Sequence, residues 1–94
     1  MTYRAPVAEM RQLLDLLGVG RLAATDRFAE ATGETIAAVL AEAARLAEDV
    51  LAPLRRAGDL TPARLENGVV RTTPGFAEAY RTLAEGGWVG LCAD

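Results

Sequence analysis

A long run of apolar residues with helical spacing occupies the middle of the chain, and it limits the possible folds more than any other feature. The 3.6-residue period is kept by Ile36, Val39, Leu40, Ala43, Leu46, Ala47, Val50 and Leu54. Thr32 or Gly33 opens this helix. Pro53 lies inside the pattern, where a proline costs about 3 kcal/mol. We therefore predict a helix that kinks at Pro53, continues to about Ala57 and stops at Gly58.

Two shorter helices are predicted before the central one. The first runs from about Val7 to Leu17 and is ended by Gly18, because a glycine readily adopts the left-handed conformation at a helix C-terminus. A short second helix is predicted after Asp26, which can cap it, and carries Phe28 before the next glycine stops it.

The second half of the chain contains a turn signal and a further helix. Asn67-Gly68 is typical of a two-residue turn and predicts a minor β-hairpin near residues 64-71. The last helix is predicted with Thr73 as its cap, Pro74 at its first position and Gly86-Gly87 at its end. The predicted fold is all-α with this minor hairpin, in a single helical domain over residues 1-94.

The composition indicates a thin core. Of the apolar residues that make up 51% of the chain, 19 are alanine and 29 are larger. A folded chain of this length is expected to bury about 60–65% of its unfolded surface. An apolar cluster near the chain end should stay exposed, and Trp88 should be well exposed or buried only against another chain; the cluster is Phe76, Tyr80, Trp88, Val89 and Leu91.

Missing residue types exclude several kinds of chemistry. The chain has no His, Lys or Ser, which removes Ser–His and Cys–His nucleophiles, Schiff-base lysines and histidine metal ligands. The net charge of −3 and the scattered arginines argue against nucleic-acid binding, including a helix-turn-helix DNA binder. The longest apolar run, Ile36–Ala41, is too short for a membrane helix. With one cysteine and no secretory signal, we predict a cytoplasmic protein.

Five local features could carry chemistry, and each has a simpler structural interpretation. The stretch from Gly18 to Ala23 matches a dinucleotide fingerprint, but a helix C-cap followed by a loop explains it better because no strand is predicted before it. Cys92 could be a reactive thiol, but no His accompanies it, so an inert cysteine is the simpler interpretation. Glu48-Asp49 could act as acid and base, but adjacent helical residues do not face each other.

The other two features concern binding rather than catalysis. Arg55-Arg56 could hold a phosphate, although arginine near a helix C-terminus is also favoured by the helix dipole. Trp88 could be a packing anchor or part of an interface. We assign no catalytic, cofactor-binding or metal-binding residue to the chain.

Several stretches of the chain resemble one enzyme family in their order and spacing: Met1–Val7, Ala47–Leu54, Leu65–Val70, Pro74–Tyr80 and Gly86–Leu91. Together they resemble the N-terminal domain of large FAD-dependent acyl-CoA dehydrogenases, on the 3-methylmercaptopropionyl-CoA dehydrogenase-like branch. The resemblance covers essentially the whole chain. It implies a soluble flavoprotein oxidoreductase of fatty acid or dimethylsulfoniopropionate metabolism that acts on acyl-CoA thioesters.

The resemblance also implies what this chain does not supply. In the family, FAD is held by a β-domain and a second helical domain, and a glutamate that removes the α-proton lies beyond the region that matches. The N-terminal helices pack on the β-domain, so a scaffold role without catalysis is expected, in a homo-oligomer that meets FAD and acyl-CoA through the other domains. The alternative is a stand-alone helical interaction module or a truncated paralogue. The DNA downstream of codon 94 would distinguish these possibilities: a continuing reading frame supports a portion of the larger enzyme, and a stop codon supports the stand-alone module.

Overall fold

The computed structural model describes residues 2–93, which are mainly helical. The elements in chain order are α1 (Val7–Leu16), a 3-10 helix (Val19–Ala24), α2 (Gly33–Leu46), a π segment (Ala47–Leu51), α3 (Ala52–Leu60), β1 (Arg64–Glu66), β2 (Val69–Arg71) and α4 (Phe76–Glu85). The predicted all-α class with a minor hairpin is confirmed. The chain divides into two compact units, residues 1–48 and 49–94.

In the first unit, α1 contacts α2 and ends where the sequence predicts. Gly18 follows the helix with a φ of 84°, the left-handed conformation of a helix C-cap. Its N–H donates to the Asp15 carbonyl at 3.0 Å, which closes the last turn of α1.

The predicted helix after Asp26 is wrong. Residues 27–30 form turns, and the helical segment in this part of the chain is the earlier 3-10 helix. Thr25 organises the loop instead, since its hydroxyl donates to the Leu22 carbonyl at 2.7 Å and accepts from the Phe28 N–H at 3.4 Å. Hydroxyl side chains that bond to nearby backbone groups compete with helix formation, and a helix this short is marginal without a buried face.

The central helical run begins at its predicted residue and ends later than predicted. Thr32 caps α2, because its side-chain oxygen accepts from the Thr35 N–H at 3.2 Å. The helix continues past Pro53, as predicted, but the irregularity is the π segment just before this proline. The predicted stop at Gly58 is wrong: the Thr61 N–H donates to the Ala57 carbonyl at 2.9 Å, and α3 extends to Leu60.

The hairpin follows its prediction closely. Asn67 and Gly68 have φ angles of 50° and 77°, as a two-residue turn with two left-handed residues requires. The antiparallel register pairs Leu65 with Val70 at the centre of the ribbon.

The start of α4 differs from its prediction and its end does not. Thr73 is 3% exposed, and its hydroxyl donates to the Thr61 carbonyl at 2.7 Å, so it does not cap α4. The helix begins at Phe76 after Gly75, whose φ is 96°, and Pro74 therefore precedes the first turn. At the other end, the backbone N–H of Trp88 donates to the Leu83 carbonyl at 3.0 Å, which completes a Schellman motif.

Candidate interaction surfaces

The described residues bury little apolar surface. Leu46 and Ala79 are the apolar residues that reach the buried class between residues 2 and 93. Seventeen large apolar residues in this part of the chain are exposed, with Leu16 and Leu17 the most exposed of them at 76% and 78%. Alanines fill many helix positions but cover little of their neighbours, so larger side chains stay in contact with solvent.

The second unit contains an open apolar groove of about 680 Å³, which we call the α3–α4 groove. Its lining comes from the end of the π segment, from α3, from the residue after β2 and from α4. The lining residues are Leu51, Leu54, Arg55, Thr72, Phe76, Ala77, Ala79, Tyr80 and Leu83.

Two glycines and a buried hydroxyl hold α3 beside α4. A Cβ atom on Gly58 would lie 2.9 Å from Cζ of Phe76, so the absence of a side chain lets this ring approach α3. A Cβ on Gly75 would lie 2.8 Å from Cδ2 of Leu54. The hydrogen bond from Thr73 to the Thr61 carbonyl joins the segment before α4 to the end of α3. The separation of the two walls of the groove is therefore set by side chains that pack directly against the glycine backbone of the opposite wall.

The chemistry of the α3–α4 groove is limited. Arg55 is its charged lining residue, and Thr72 with the Tyr80 side chain supplies the hydroxyl groups. Among the described residues, no carboxylate or thiol lines it. Arg55 and Arg56 lie more than one turn before Leu60, the last residue of α3. The suggestion that the dipole at the helix C-terminus favours these arginines is therefore wrong.

A second concavity, of about 540 Å³, lies in the first unit next to Gly18. The Arg21 guanidinium lies directly against the Gly18 Cα, where a pyrophosphate would approach in a dinucleotide site. An α-helix precedes this glycine and a 3-10 helix follows it. The interpretation of Gly18 as a helix end is therefore confirmed, but the loop expected after it is wrong, because Val19–Ala24 form the 3-10 helix.

The acidic candidate Glu48 is engaged in an ion pair. Its Oε1 lies 3.2 Å from Nη1 of Arg4, which joins the N-terminal segment to the end of the helical run in the first unit. Cys92 is exposed in a turn.

The apolar cluster near the chain end is exposed in part. Phe76 and Tyr80 are 42% and 61% exposed, and Val89 and Leu91 are also exposed, as predicted. Trp88 is half-buried within one chain, so the prediction that it is well exposed, or buried only against another chain, is wrong. Its ring lies over Gly86, where a Cβ would be 2.9 Å from Cδ1, and the Schellman turn places it there.

Sequence reasoning did not predict the α3–α4 groove. The two apolar stripes that form its walls were visible, at Leu51 and Leu54 and again at Phe76, Tyr80 and Leu83. What was missing was the pairing of these two stripes, which depends on the contacts of Gly58 with Phe76 and of Gly75 with Leu54. A glycine inside a helix is the signal that could have suggested this pairing, because the missing side chain leaves room for an aromatic ring from another helix.

A comparison with known proteins gives the sequence resemblance a measured percentage of identity. No family model matches the chain. It is 34% identical over 92 residues to a 3-methylmercaptopropionyl-CoA dehydrogenase of Ruegeria pomeroyi. The match covers 97% of this chain and 16% of that protein. The helical fold with one small hairpin is consistent with the N-terminal helical domain of acyl-CoA dehydrogenases. In residues 2–93, no helix has the length and apolar character needed to cross a membrane.

Proposed function

We propose that this chain is the N-terminal scaffold portion of a flavin-dependent acyl-CoA dehydrogenase and is not catalytic on its own. The parent reaction would be α,β-dehydrogenation of acyl-CoA thioesters in the cytoplasm, and residues 1-94 would act as one domain of that enzyme. The identity over 97% of the chain supports the family origin. The same match spans 16% of the relative, so the activity of the whole enzyme would reside mainly in other regions.

Residues 2–93, which the structure describes, do not fit a flavin site. Binding FAD requires a place for its pyrophosphate and an apolar slot for the ring system. The one fingerprint match has Arg21 against its first glycine and lacks a preceding strand. In this part of the chain, the lining of the α3–α4 groove has one guanidinium, that of Arg55, and no second cationic side chain to balance the charge of a diphosphate. We therefore derive no catalytic step from these residues.

The observation that carries the proposal is the exposure of large apolar side chains within each unit. In the first unit, Leu16 at the end of α1 and Leu17 just after it are 76% and 78% exposed. In the second unit, Leu65, Val70 and Tyr80 are 72%, 65% and 61% exposed. Exposed apolar side chains in this number mark an interface, as a scaffold packed against neighbouring domains requires.

A domain exchange tests the scaffold role. The matching N-terminal region of the Ruegeria pomeroyi relative would be replaced by this chain, and a second variant would lack the region entirely. We expect the chimera to keep bound flavin and dehydrogenase activity, and the deletion variant to lose both. Full activity of the deletion variant would contradict the proposal.

Flavin binding by the isolated chain is the complementary test. After mixing with FAD and ultrafiltration, we expect the flavin in the filtrate and its fluorescence unchanged. Stoichiometric retention of FAD would contradict the scaffold proposal. The stand-alone interaction module remains the second candidate, favoured by the open α3–α4 groove, and a chimera that fails to fold around this chain would support it.

A further inference from the structure

We draw no further inference here: the strongest candidate, the open apolar α3–α4 groove of the second unit with Arg55 in its lining, carries nothing beyond the scaffold role because nothing in the structure shows what covers it.

Discussion

Arg45 donates to both carboxylate oxygens of Glu42 one turn earlier in α2, at distances from 2.6 to 3.2 Å. These hydrogen bonds hold the pKa of Glu42 below its ordinary value, with a smaller contribution from the charge of Arg45. Both side chains are about half exposed, so the pair adds only modestly to stability. The i,i+3 spacing made this contact predictable from the sequence, because residues at that spacing share a helix face.

The first prediction concerns the titration of Glu42. Arg45→Gln should raise the pKa of Glu42 towards its ordinary value, as followed by the carboxyl carbon shift in an NMR pH titration. Because the folded pKa is depressed, the stabilisation is present above the unfolded pKa and is lost as pH falls through the folded value. Arg81→Gln, in α4, is the control and should leave the titration unchanged. An unaltered curve in Arg45→Gln would show that the hydrogen bonds do not set the pKa.

The second prediction compares two glycines. Gly75→Ala should destabilise the fold by about 1–3 kcal/mol, because the backbone has a φ of 96° and the new Cβ would meet Leu54 Cδ2 at 2.8 Å. Gly20→Ala is the matched change, with no positive φ and no atom within 4 Å, and should be close to neutral. Urea unfolding followed by circular dichroism measures both. Equal midpoints for the two variants would mean that the left-handed turn before α4 is not required.

At the scale of elements, two threonines with similar sequence signals have different roles. Thr32 precedes a glycine and caps α2, while Thr73 precedes a proline and is buried with its hydroxyl on the Thr61 carbonyl. Capping depends on local backbone geometry, so the sequence could predict the first. The role of Thr73 depends on a residue 12 positions earlier in the chain, and no local signal reveals it.

The third prediction follows from the cap on α2. Thr32→Ala should lower the free energy of unfolding by about 1 kcal/mol, because the Thr35 N–H loses its acceptor. Thr82→Ala is the same chemical change inside α4, where the hydroxyl bonds the Glu78 carbonyl at 3.1 Å. There the variant should be neutral or slightly more stable, since alanine is the better helix former. A loss in Thr82→Ala as large as that in Thr32→Ala would rule out a specific capping effect.

The fourth prediction addresses the π segment. A proline in a regular α-helix lacks the N–H for its i−4 carbonyl and clashes with that carbonyl, which here belongs to Asp49. The widened turn at Ala47–Leu51 relieves both problems, so the sequence predicted an irregularity at Pro53 but not its form. Pro53→Ala should convert residues 47–51 to α-helical geometry and stabilise the helix by the order of 1 kcal/mol.

Nuclear Overhauser contacts provide the measurement for Pro53→Ala. The pattern across Ala47–Leu51 should change from i,i+5 to i,i+4 spacing, while Pro6→Ala, just before α1, should leave it unaltered. A π segment that persists in Pro53→Ala would mean that tertiary packing, rather than the proline, imposes the wide turn.

For the whole molecule, local signals predicted most elements, and pairings between distant elements account for the errors. Helix ends at Gly18 and Gly86-Gly87 and the Asn67-Gly68 turn depend on a few adjacent residues, and each was predicted correctly. The α3–α4 groove depends on Gly58 meeting Phe76, which no local pattern encodes. The alanine content correctly predicted a thin core, since Leu46 and Ala79 are the buried apolar residues in the described part of the chain.

The last prediction concerns the unfolding of the isolated chain at concentrations where it is monomeric. The slope of unfolding free energy against urea scales with the surface newly exposed. Because few apolar side chains are buried within either unit, unfolding should uncover less surface than it does in a compact domain of this mass. We therefore expect a reduced slope and a free energy of unfolding near the lower limit for small domains, about 5 kcal/mol or less.

Circular dichroism and Trp88 fluorescence should be recorded on the same urea series. Trp88 reports on the end of α4, because its ring lies over Gly86 in the second unit. A steep transition with the slope of a compact domain of this length would show that the exposed apolar surface is buried in solution. That result would favour a stand-alone module, since a scaffold portion has to leave this surface free for other domains.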